Sequence, residues 1–275
     1  MKIRKAVIPA AGLGTRFFPI AKSIAKEMLP IVDKPCIQYL VEEAVKSGIT
    51  EIIIITNKNK AVLKDYFSHS EYISATLKEK NHLELLKEVE KIIKMAKFIY
   101  VDQPKPRGDG HAILCAKEYL KGEPFAVLFG DDIYDSKVPA LKQLINEYER
   151  IGTPVIALHK INKADSQKYG IVETSKKQGR LHKLKNLVEK PFPKNAPSNL
   201  AIAGKYIVTP ELMKALESTS PGKDKELRLI DGMRKLIKTS PIYGYEIEGE
   251  RFDTGDKLGY LKAVVHFAKK SGFKI

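Results

Sequence analysis

Cysteine is scarce in this chain, where Cys36 and Cys115 are the only two among 275 residues. Both lie within apolar stretches with helical spacing, which favours free thiols over a disulfide or a metal-binding cluster. Disulfide-rich sequences are typical of oxidising compartments. We therefore expect a cytoplasmic protein.

Long apolar runs are also lacking. No stretch reaches the roughly 18 to 20 apolar residues that a membrane-spanning helix requires. Basic residues near the start precede a short apolar segment, Ala6–Ala11, but Pro9 interrupts this segment and a glycine-rich stretch follows it. We therefore predict neither a signal peptide nor binding to a membrane.

Acidic residues are outnumbered, since 33 Asp and Glu stand against 48 Lys and Arg and give a formal net charge of +15. Such an excess suggests a nucleic-acid-binding protein. The lysines, however, are spread along the chain and mixed with glutamates, as in Lys87–Lys97. This pattern is typical of solvated helix faces, so we expect no nucleic-acid partner. A basic surface would also favour small polyanions such as nucleoside triphosphates.

Short apolar runs alternate with amphipathic segments in the first part of the chain. The predicted strands are Lys5–Pro9, Glu51–Thr56, Phe98–Val101, Phe125–Phe129 and Pro154–His159. The predicted helices are Asp33–Ser47 with Asp33 as N-cap, Asn81–Ala96 with an Asn81/Glu84 capping box, Gly110–Leu120 and Val138–Arg150. This alternation predicts an α/β fold with a Rossmann-like, mostly parallel sheet flanked by helices. Ligands gather at the carboxyl ends of the strands in such sheets.

The pattern changes beyond Gly170. The predicted strands there are Ile171–Thr174, Leu181–Glu189, Ala201–Val208 and Ile242–Ile247, and the predicted helices are Pro210–Ser218, Lys225–Lys238 and Asp256–Lys270. We interpret this part as an added subdomain with a mixed or antiparallel sheet. No repeat or low-complexity linker divides the chain. We predict a single domain, 1–275, with a core mainly in 1–160, the added subdomain mainly in 161–250 and a C-terminal helix at 256–270.

A glycine-rich segment, Ala10–Arg16, follows the first predicted strand directly. Small residues let backbone N–H groups approach phosphate oxygens, and Arg16 adds a cation suited to a polyphosphate. An ordinary tight turn is the alternative. The segment lacks the Gly-Lys-Ser/Thr of a Walker loop. It also has Phe17 in place of the third glycine of a dinucleotide-binding motif, although Asp33 lies about twenty residues further on.

Charged residues beside predicted strand ends are further candidates. Asp131 follows the strand Phe125–Phe129, where it suits either a Mg²⁺ ligand or a turn-capping role. Glu189 and Lys190 would point to opposite faces of a continuous strand. Pro191 makes an end of the strand plausible at this point, and an exposed ion pair is the alternative.

The order of these motifs resembles the bacterial UTP–glucose-1-phosphate uridylyltransferases, or UDP-glucose pyrophosphorylases, a family of sugar nucleotidyltransferases. The likeness covers nearly the whole chain. It is carried by residues 8–47, which include Lys26-Glu27-Met28-Leu29-Pro30, and by the motifs Gly108-x-Gly110-His111, Gly130-Asp131, Tyr169-Gly170, Val188-Glu189-Lys190-Pro191, Ala196–Ala201 and Phe252-Asp253-Thr254-Gly255.

The resemblance implies Mg²⁺-dependent transfer of a uridylyl group from UTP to glucose 1-phosphate by a homodimer or homotetramer. The core would bind the nucleotide and the added subdomain the sugar. The nucleotide-binding residues would be Ala11, Gly12, Gly14, Thr15, Arg16, Lys26, Gln103, Gly108 and Asp131. The sugar-binding residues would be Gly170, Glu189, Lys190 and Ile202. The catalytic residues would be Arg16, Lys26, Asp131 and Lys190, and the metal ligands Asp131 and Asp253.

The chain departs from the family pattern beside the implied base-reading loop. Arg107 and Asp109 replace leucines there, and Arg228-Leu229-Ile230-Asp231 replaces a Gln-Leu-Thr-Asp segment. The same chemistry with dTTP or with another sugar 1-phosphate therefore stays open. An NAD-dependent oxidoreductase, suggested by Gly12-x-Gly14 and Asp33, and a non-catalytic basic binding protein are the remaining alternatives.

Overall fold

Thirteen strands and ten helices make up the computed structural model over residues 2–274, which are the residues it describes. The strands are β1 Lys5–Pro9, β2 Pro30–Ile31, β3 Lys34–Pro35, β4 Glu51–Thr56, β5 Lys97–Asp102, β6 Phe125–Leu128, β7 Asp132–Asp135, β8 Val155–Lys160, β9 Gly170–Gln178, β10 Leu181–Glu189, β11 Leu200–Val208, β12 Tyr243–Glu246 and β13 Glu250–Asp253. The helices are α1 Cys36–Lys46, α2 Ala61–Tyr66, α3 Glu71–Glu79, α4 Leu83–Ile93, α5 Asp109–Cys115, α6 Lys117–Leu120, α7 Ala140–Ile151, α8 Pro210–Glu217, α9 Leu229–Leu236 and α10 Lys257–Lys270. Short 3₁₀ turns lie at Thr15–Phe17, Ile20–Lys22, Lys26–Met28, Lys163–Lys168 and Pro193–Asn195.

Nine strands form one sheet in the order β5-β4-β1-β6-β11-β8-β12-β10-β9. The first four strands of that order run parallel, and β8 and β12 are parallel to each other. Strand β11 lies between β6 and β8 and is antiparallel to both. The predicted mixed α/β fold is confirmed. The strands predicted for the added region, β9 to β12, continue the same sheet, whereas β13 forms a separate two-stranded sheet with β7.

Helices cover both faces of the sheet. The isoleucines at 52 and 54 on β4 pack toward α1, α7 and α10, whereas those at 53 and 55 pack toward α5, α8 and α9. All four are fully buried, as their unbroken run in the sequence predicted. Burying each such side chain contributes about 1.5–3 kcal/mol, so this strand anchors the two layers of helices.

Two predicted helix starts are wrong. Asp33 lies in the turn between β2 and β3, and α1 begins at Cys36 after the capping position Pro35. Asn81 does not start α4. It adopts a left-handed conformation, φ 57°, which asparagine tolerates, and its N–H donates to the carbonyl of Lys78 at the end of α3. The N-cap of α4 is His82, and no capping box forms there.

Some predicted helices are shorter or divided in the structure, and some elements of the structure were not predicted. The predicted helix Lys225–Lys238 begins only at Leu229, because Arg228 is extended and Lys225 has φ 63°. The predicted helix Gly110–Leu120 is divided at Ala116 into α5 and α6. Helices α2 and α3 and the paired strands β7 and β13 were not predicted. Helix α10 starts where expected, with the Asp256 side chain accepting from the N–H of Gly259.

The two thiols are free, as predicted, with Cys36 buried and Cys115 partly exposed. Within residues 2–274, no helix combines the length and the apolar character needed to cross a membrane.

Candidate functional site

A cavity of about 610 Å³ opens where the parallel strands β1, β5 and β6 end. All of the predicted site residues line it except Gly14 and Thr15. Gly14 instead shapes the turn, because its φ is 67° and a Cβ there would stand 3.2 Å from the Cβ of Lys26. We call the side built from residues 10–16, 26–27 and 103–110, together with Asp131 and Asp253, the loop end. The side built from Gly170, Glu189, Lys190 and Ile202 is the strand end.

The glycine-rich segment is held through its carbonyl groups. The Ala10 carbonyl accepts a hydrogen bond from Lys60 Nζ at 2.7 Å, and the Ala11 carbonyl accepts one from Asn57 Nδ2 at 2.8 Å. A Cβ on Gly12 would meet no atom within 4 Å, so this glycine borders open space. The segment is therefore fixed from the protein side, with backbone next to the cavity.

A buried ion pair supports this segment. Lys60 Nζ lies 2.8 Å from Glu27 Oε2, and the exposed fractions of these residues are 8% and 1%. Burial outweighs the attraction of Glu27 and lowers the pKa of Lys60. Within residues 2–274, no hydrogen-bond partner is present for Glu27 Oε1. Sequence reasoning missed both residues, although Glu27 lies beside Lys26 in the motif that carried the resemblance.

The two predicted metal ligands, Asp131 and Asp253, are brought together by the pairing of β7 with β13. Asp253 pairs with Asp132 in this ladder, and the N–H of Thr254 donates to the Asp131 carbonyl at 2.8 Å. A Cβ on Gly255 would stand 2.8 Å from Asp131 Oδ2 and 2.9 Å from Asp253 Oδ1. The glycine thus leaves a space that two carboxylate oxygens face. Mg²⁺ is commonly bound by one or two carboxylates together with water and phosphate oxygens, so this donor set fits it.

Two cations accompany the carboxylates. Lys26 Nζ binds Asp131 Oδ2 at 2.8 Å, and Arg16 Nη1 lies 3.2 Å from the position of the missing Gly255 Cβ. Burial disfavours the charge on both members of the Lys26–Asp131 pair, but each stabilises the other. The pKa of Lys26 is accordingly raised and that of Asp131 lowered. Both groups are therefore charged at neutral pH and ready to bind a phosphate or a cation.

Arg251 and Tyr169 surround the second carboxylate. Arg251 makes two bonds to Asp132, at 2.8 and 3.0 Å, and its guanidinium lies 5.0 Å from the centre of the Tyr169 ring. The Tyr169 hydroxyl donates to Asp253 Oδ2 at 2.8 Å. Burial, together with the nearby Asp253, raises the pKa of Tyr169, so the phenol keeps its proton. The sequence indicated no role at the site for either residue.

The predicted base-reading residues lie after β5. Gln103 is 5% exposed, and its Nε2 is 3.2 Å from the Gly108 carbonyl and 2.9 Å from His111 Nδ1. His111 therefore helps to hold the Gln103 side chain in place. Gly108 has φ 95°, and a Cβ there would collide with the carbonyl of Leu227. Only glycine allows the loop to pass so close to the neighbouring segment.

That neighbouring segment, residues 226–229, is hydrogen-bonded to residues 107–110, the loop that is predicted to read the base. Leu227 exchanges backbone hydrogen bonds with Arg107 and Gly110, at 2.8 and 2.9 Å. Asp109 Oδ1 accepts a further bond from the N–H of Leu229 at 2.7 Å. Burial raises the pKa of Asp109 to about 6. Asp109, which stands where the family pattern has a leucine, therefore adds a hydrogen bond between the loop end and the start of α9.

The strand end is formed by direct packing of neighbouring strands. Gly170 on β9 pairs with Glu189 on β10, and a Cβ on Gly170 would stand 3.1 Å from Ile202 Cδ1 and 3.2 Å from Glu189 Oε2. Strand β10 ends at Glu189, and Lys190 takes a left-handed conformation with φ 46°. The required end of the strand is present, and both charged residues line the same cavity. Asp33, which the oxidoreductase alternative needs, is not among the residues that line it.

Nearly the whole chain is similar to known proteins. Residues 5–270 match the family model described as nucleotidyl transferase. The chain is 46% identical over 267 residues to the UTP–glucose-1-phosphate uridylyltransferase of Bacillus subtilis (strain 168), covering 97% of this chain and 91% of that one. A solved UDP-glucose pyrophosphorylase complexed with UDP-glucose has a TM-score of 0.89 and 40% identity, covering 98% and 99%. A UTP-bound UGPase from Acinetobacter baumannii has a TM-score of 0.91 and 38% identity, covering 98% and 94%.

Proposed function

The chain belongs to the nucleotidyl transferase family, and from this membership we propose that it transfers a uridylyl group from UTP to glucose 1-phosphate. The products are UDP-glucose and pyrophosphate. One observation carries the proposal, which is that the glycine-rich segment, the carboxylate pair and the Gly170–Glu189 pair all line a single cavity. The substrates named for the Bacillus subtilis relative support the choice of UTP and glucose 1-phosphate.

Each end of the cavity takes one substrate in this proposal. At the loop end, the backbone at Ala11 and Gly12 holds uracil and ribose, and Gln103 with the Gly108 backbone reads the edge of the base. At the strand end, Gly170, Glu189 and the Ile202 backbone hold glucose. The Glu189 carboxylate accepts hydrogen bonds from sugar hydroxyls, because both of its oxygens are hydrogen-bond acceptors.

The reaction is an in-line displacement at the α-phosphorus. An oxygen of the sugar phosphate attacks, the bond from the α-phosphorus to the bridging oxygen breaks, and pyrophosphate leaves. The attacking oxygen is already anionic, so the chain need not supply a base. It must instead offset the repulsion between two polyanions. Arg16 and Lys26 do so at the triphosphate, and Lys190 does so at the sugar phosphate.

Asp131 and Asp253 are the residues that would hold Mg²⁺, which supplies positive charge against the phosphate oxygens when bound. The support is the space left by Gly255 and the oxygen-only donor set. Lys26 keeps Asp131 ionised, because their pairing outweighs the effect of burial on the carboxylate.

Pyrophosphate release tests the proposal directly. The protein is mixed with Mg²⁺, glucose 1-phosphate and one nucleoside triphosphate at a time. We expect release with UTP that requires the sugar phosphate and stops when EDTA removes the metal. An absence of release with UTP would refute the function.

The same transfer with dTTP or with another sugar 1-phosphate is a second candidate. Asp109 supports this second candidate, because it stands where the family pattern has a leucine and it lines the cavity. Competition between UTP and dTTP, and between sugar 1-phosphates, in the same assay decides the selectivity.

We also propose a homodimer or homotetramer that acts in the cytoplasm without a nucleic-acid partner. The family resemblance supports the assembly, and the scarcity of cysteine supports the compartment. Light scattering after gel filtration measures the assembly, and a filter-binding assay with duplex DNA at moderate salt tests the nucleic-acid statement.

A further inference from the structure

We propose that Tyr169 is a positioning residue for the second carboxylate, and that its hydroxyl fixes Asp253 so that one oxygen faces Asp131. The inference rests on the proposed function, because that function assigns Asp131 and Asp253 to a metal used in the reaction. Tyr169 itself does not contact the metal. It acts through the carboxylate that it holds.

The two oxygens of Asp253 have different partners. Oδ2 accepts the Tyr169 hydroxyl at 2.8 Å, whereas Oδ1 accepts the N–H of Gly255 at 3.0 Å. Oδ1 lies 2.9 Å from the position that a Gly255 Cβ would take, and Asp131 Oδ2 lies 2.8 Å from that same position. The Tyr169 hydroxyl therefore holds Oδ2 of Asp253, while Oδ1 faces Asp131.

A nearby cation, Arg251, competes with the Tyr169 hydroxyl for Oδ2 of Asp253. Arg251 Nη2 lies 3.9 Å from Asp253 Oδ2, which is close enough for attraction but too long for a hydrogen bond. Its two bonds to Asp132 and the face of the Tyr169 ring hold the guanidinium in that place. Without the hydroxyl, Arg251 remains as the partner of Oδ2. A carboxylate that turns toward Arg251 no longer presents Oδ1 to Asp131.

The position of Tyr169 also lets a merely structural role be recognised. The residue precedes Gly170, and its carbonyl accepts the N–H of Lys190 at 3.1 Å. If Tyr169 only supported the backbone, its replacement would disturb the strand end and raise the KM for glucose 1-phosphate. If it positions Asp253, the replacement weakens metal binding, and a high Mg²⁺ concentration restores turnover.

The test uses Tyr169→Phe, which removes the hydroxyl and keeps the ring against Arg251. Binding of Mn²⁺ is followed by electron paramagnetic resonance on the whole protein, with and without UTP and in the absence of a sugar phosphate. Outer-sphere partners of metal ligands typically contribute 10- to 100-fold to metal affinity, so we expect the Mn²⁺ dissociation constant to rise roughly 10-fold or more.

Tyr260→Phe is the matched control. It also loses one hydroxyl hydrogen bond, to the Pro30 carbonyl at 2.6 Å, but Tyr260 does not line the cavity. Its Mn²⁺ affinity should equal that of the wild type. Thermal melting of each variant shows that it is folded at the temperature of the assay.

A double-mutant cycle with Asp253→Asn tests the route of the effect. If Tyr169 acts through Asp253, Tyr169→Phe changes Mn²⁺ affinity in the wild-type background and adds nothing in the Asp253→Asn background. Equal losses in both backgrounds, a Tyr169→Phe affinity equal to the wild type, or the absence of Mn²⁺ binding to the wild type would each overturn the inference.

The outcome is separable from that of the proposed function. A wild-type protein that binds Mn²⁺ but releases no pyrophosphate from UTP refutes the function and leaves the Mn²⁺ comparison to decide on Tyr169. A protein that releases pyrophosphate while Tyr169→Phe binds Mn²⁺ normally refutes only the role of Tyr169.

Discussion

The loop end and the strand end of the cavity are built in opposite ways. At the loop end, chain segments that follow parallel strands are held by polar groups, such as the Lys60 bonds to the Ala10 carbonyl and to Glu27. At the strand end, neighbouring strands pack so closely around Gly170 that even a methyl group would press on Ile202 and Glu189. The loop end thus depends on charge and backbone hydrogen bonds, and the strand end on shape.

The carboxylate pair is the part of the loop end where charge should matter most. Asp131→Asn removes a charge from the proposed metal site but keeps the size of the side chain. We expect kcat to fall roughly 10²- to 10³-fold, the usual cost of losing one group that stabilises a developing charge. Turnover by stopped-flow or coupled pyrophosphate assay measures this loss, and circular dichroism verifies the fold.

Asp135→Asn is the control for that change. Asp135 ends β7, the strand that begins directly after Asp131, but it binds His266 and Lys270 at the surface, away from the cavity. Its turnover should stay at the wild-type level. A near-normal kcat for Asp131→Asn would remove Asp131 from the metal site and with it the electrostatic account of the loop end.

Two glycine-to-alanine changes separate the two ends. A Cβ on Gly170 occupies space next to Glu189, so Gly170→Ala should raise the KM for glucose 1-phosphate and leave the KM for UTP unchanged. A Cβ on Gly12 extends into open cavity and should have the converse effect. One added carbon in a binding pocket costs roughly 10-fold or more.

Each of these two variants serves as the control for the other. Steady-state kinetics with one substrate varied at a time gives both KM values for each protein. If both variants raise both KM values to the same extent, the cavity is not divided into ends that bind one substrate each.

The hydrogen bond between Asp109 and Leu229 joins the loop end to the start of α9, and its expected effect is the smallest. Burial raises the pKa of Asp109 to about 6, so the folded chain binds a proton more tightly than the unfolded chain does. This carboxyl group therefore costs stability as the pH rises from about 4 through 6. An asparagine in its place cannot ionise, yet the amide oxygen can still accept from the N–H of Leu229. The stability of Asp109→Asn relative to the wild type should rise by about 1–2 kcal/mol between pH 4.5 and 8, with some loss to solvent screening.

Urea unfolding at both pH values measures this difference. Asp135→Asn is the control. Burial would raise the pKa of Asp135, but its bonds to Lys270 and His266 outweigh burial and lower that pKa. The stability that this carboxyl group contributes therefore changes only below about pH 4, and the stability of Asp135→Asn relative to the wild type should be the same at both pH values. If the difference in unfolding free energy between Asp109→Asn and the wild type does not change with pH, ionisation of Asp109 does not destabilise the folded protein.

The loop end was largely accessible from the sequence because its residues follow strands in short, ordered motifs. The segment Ala10–Arg16 and Asp131 could be placed at strand ends by local reasoning alone. The strand end could not, because Gly170, Glu189 and Ile202 are neighbours only through the pairing of β9, β10 and β11. The candidacy of Gly170 and Ile202 came from the family resemblance alone, and Glu189 was also a candidate because it lies at the end of a predicted strand.

The misplaced helix starts have a common cause. Asp33 and Asn81 both suit a helix N-cap, but the same side chains also suit turns, and in the structure each of them lies in a turn. Tyr169 shows the same limit in another form. A tyrosine more often completes a core than binds a ligand, and nothing in the sequence around Tyr169 signals the hydroxyl bond to Asp253.

The position of β11 has a consequence for dissecting the molecule. All nine of its residues are buried, and it fills the place between β6 and β8, although β8, β9 and β10 all precede it in the chain. A fragment that stopped at residue 160 would expose two open edges in the middle of its sheet, which are templates for aggregation. During synthesis, too, the sheet cannot close before residue 208 has emerged. An exchange of sugar specificity between relatives must therefore graft a strand from the centre of the protein and cannot simply replace a peripheral cassette.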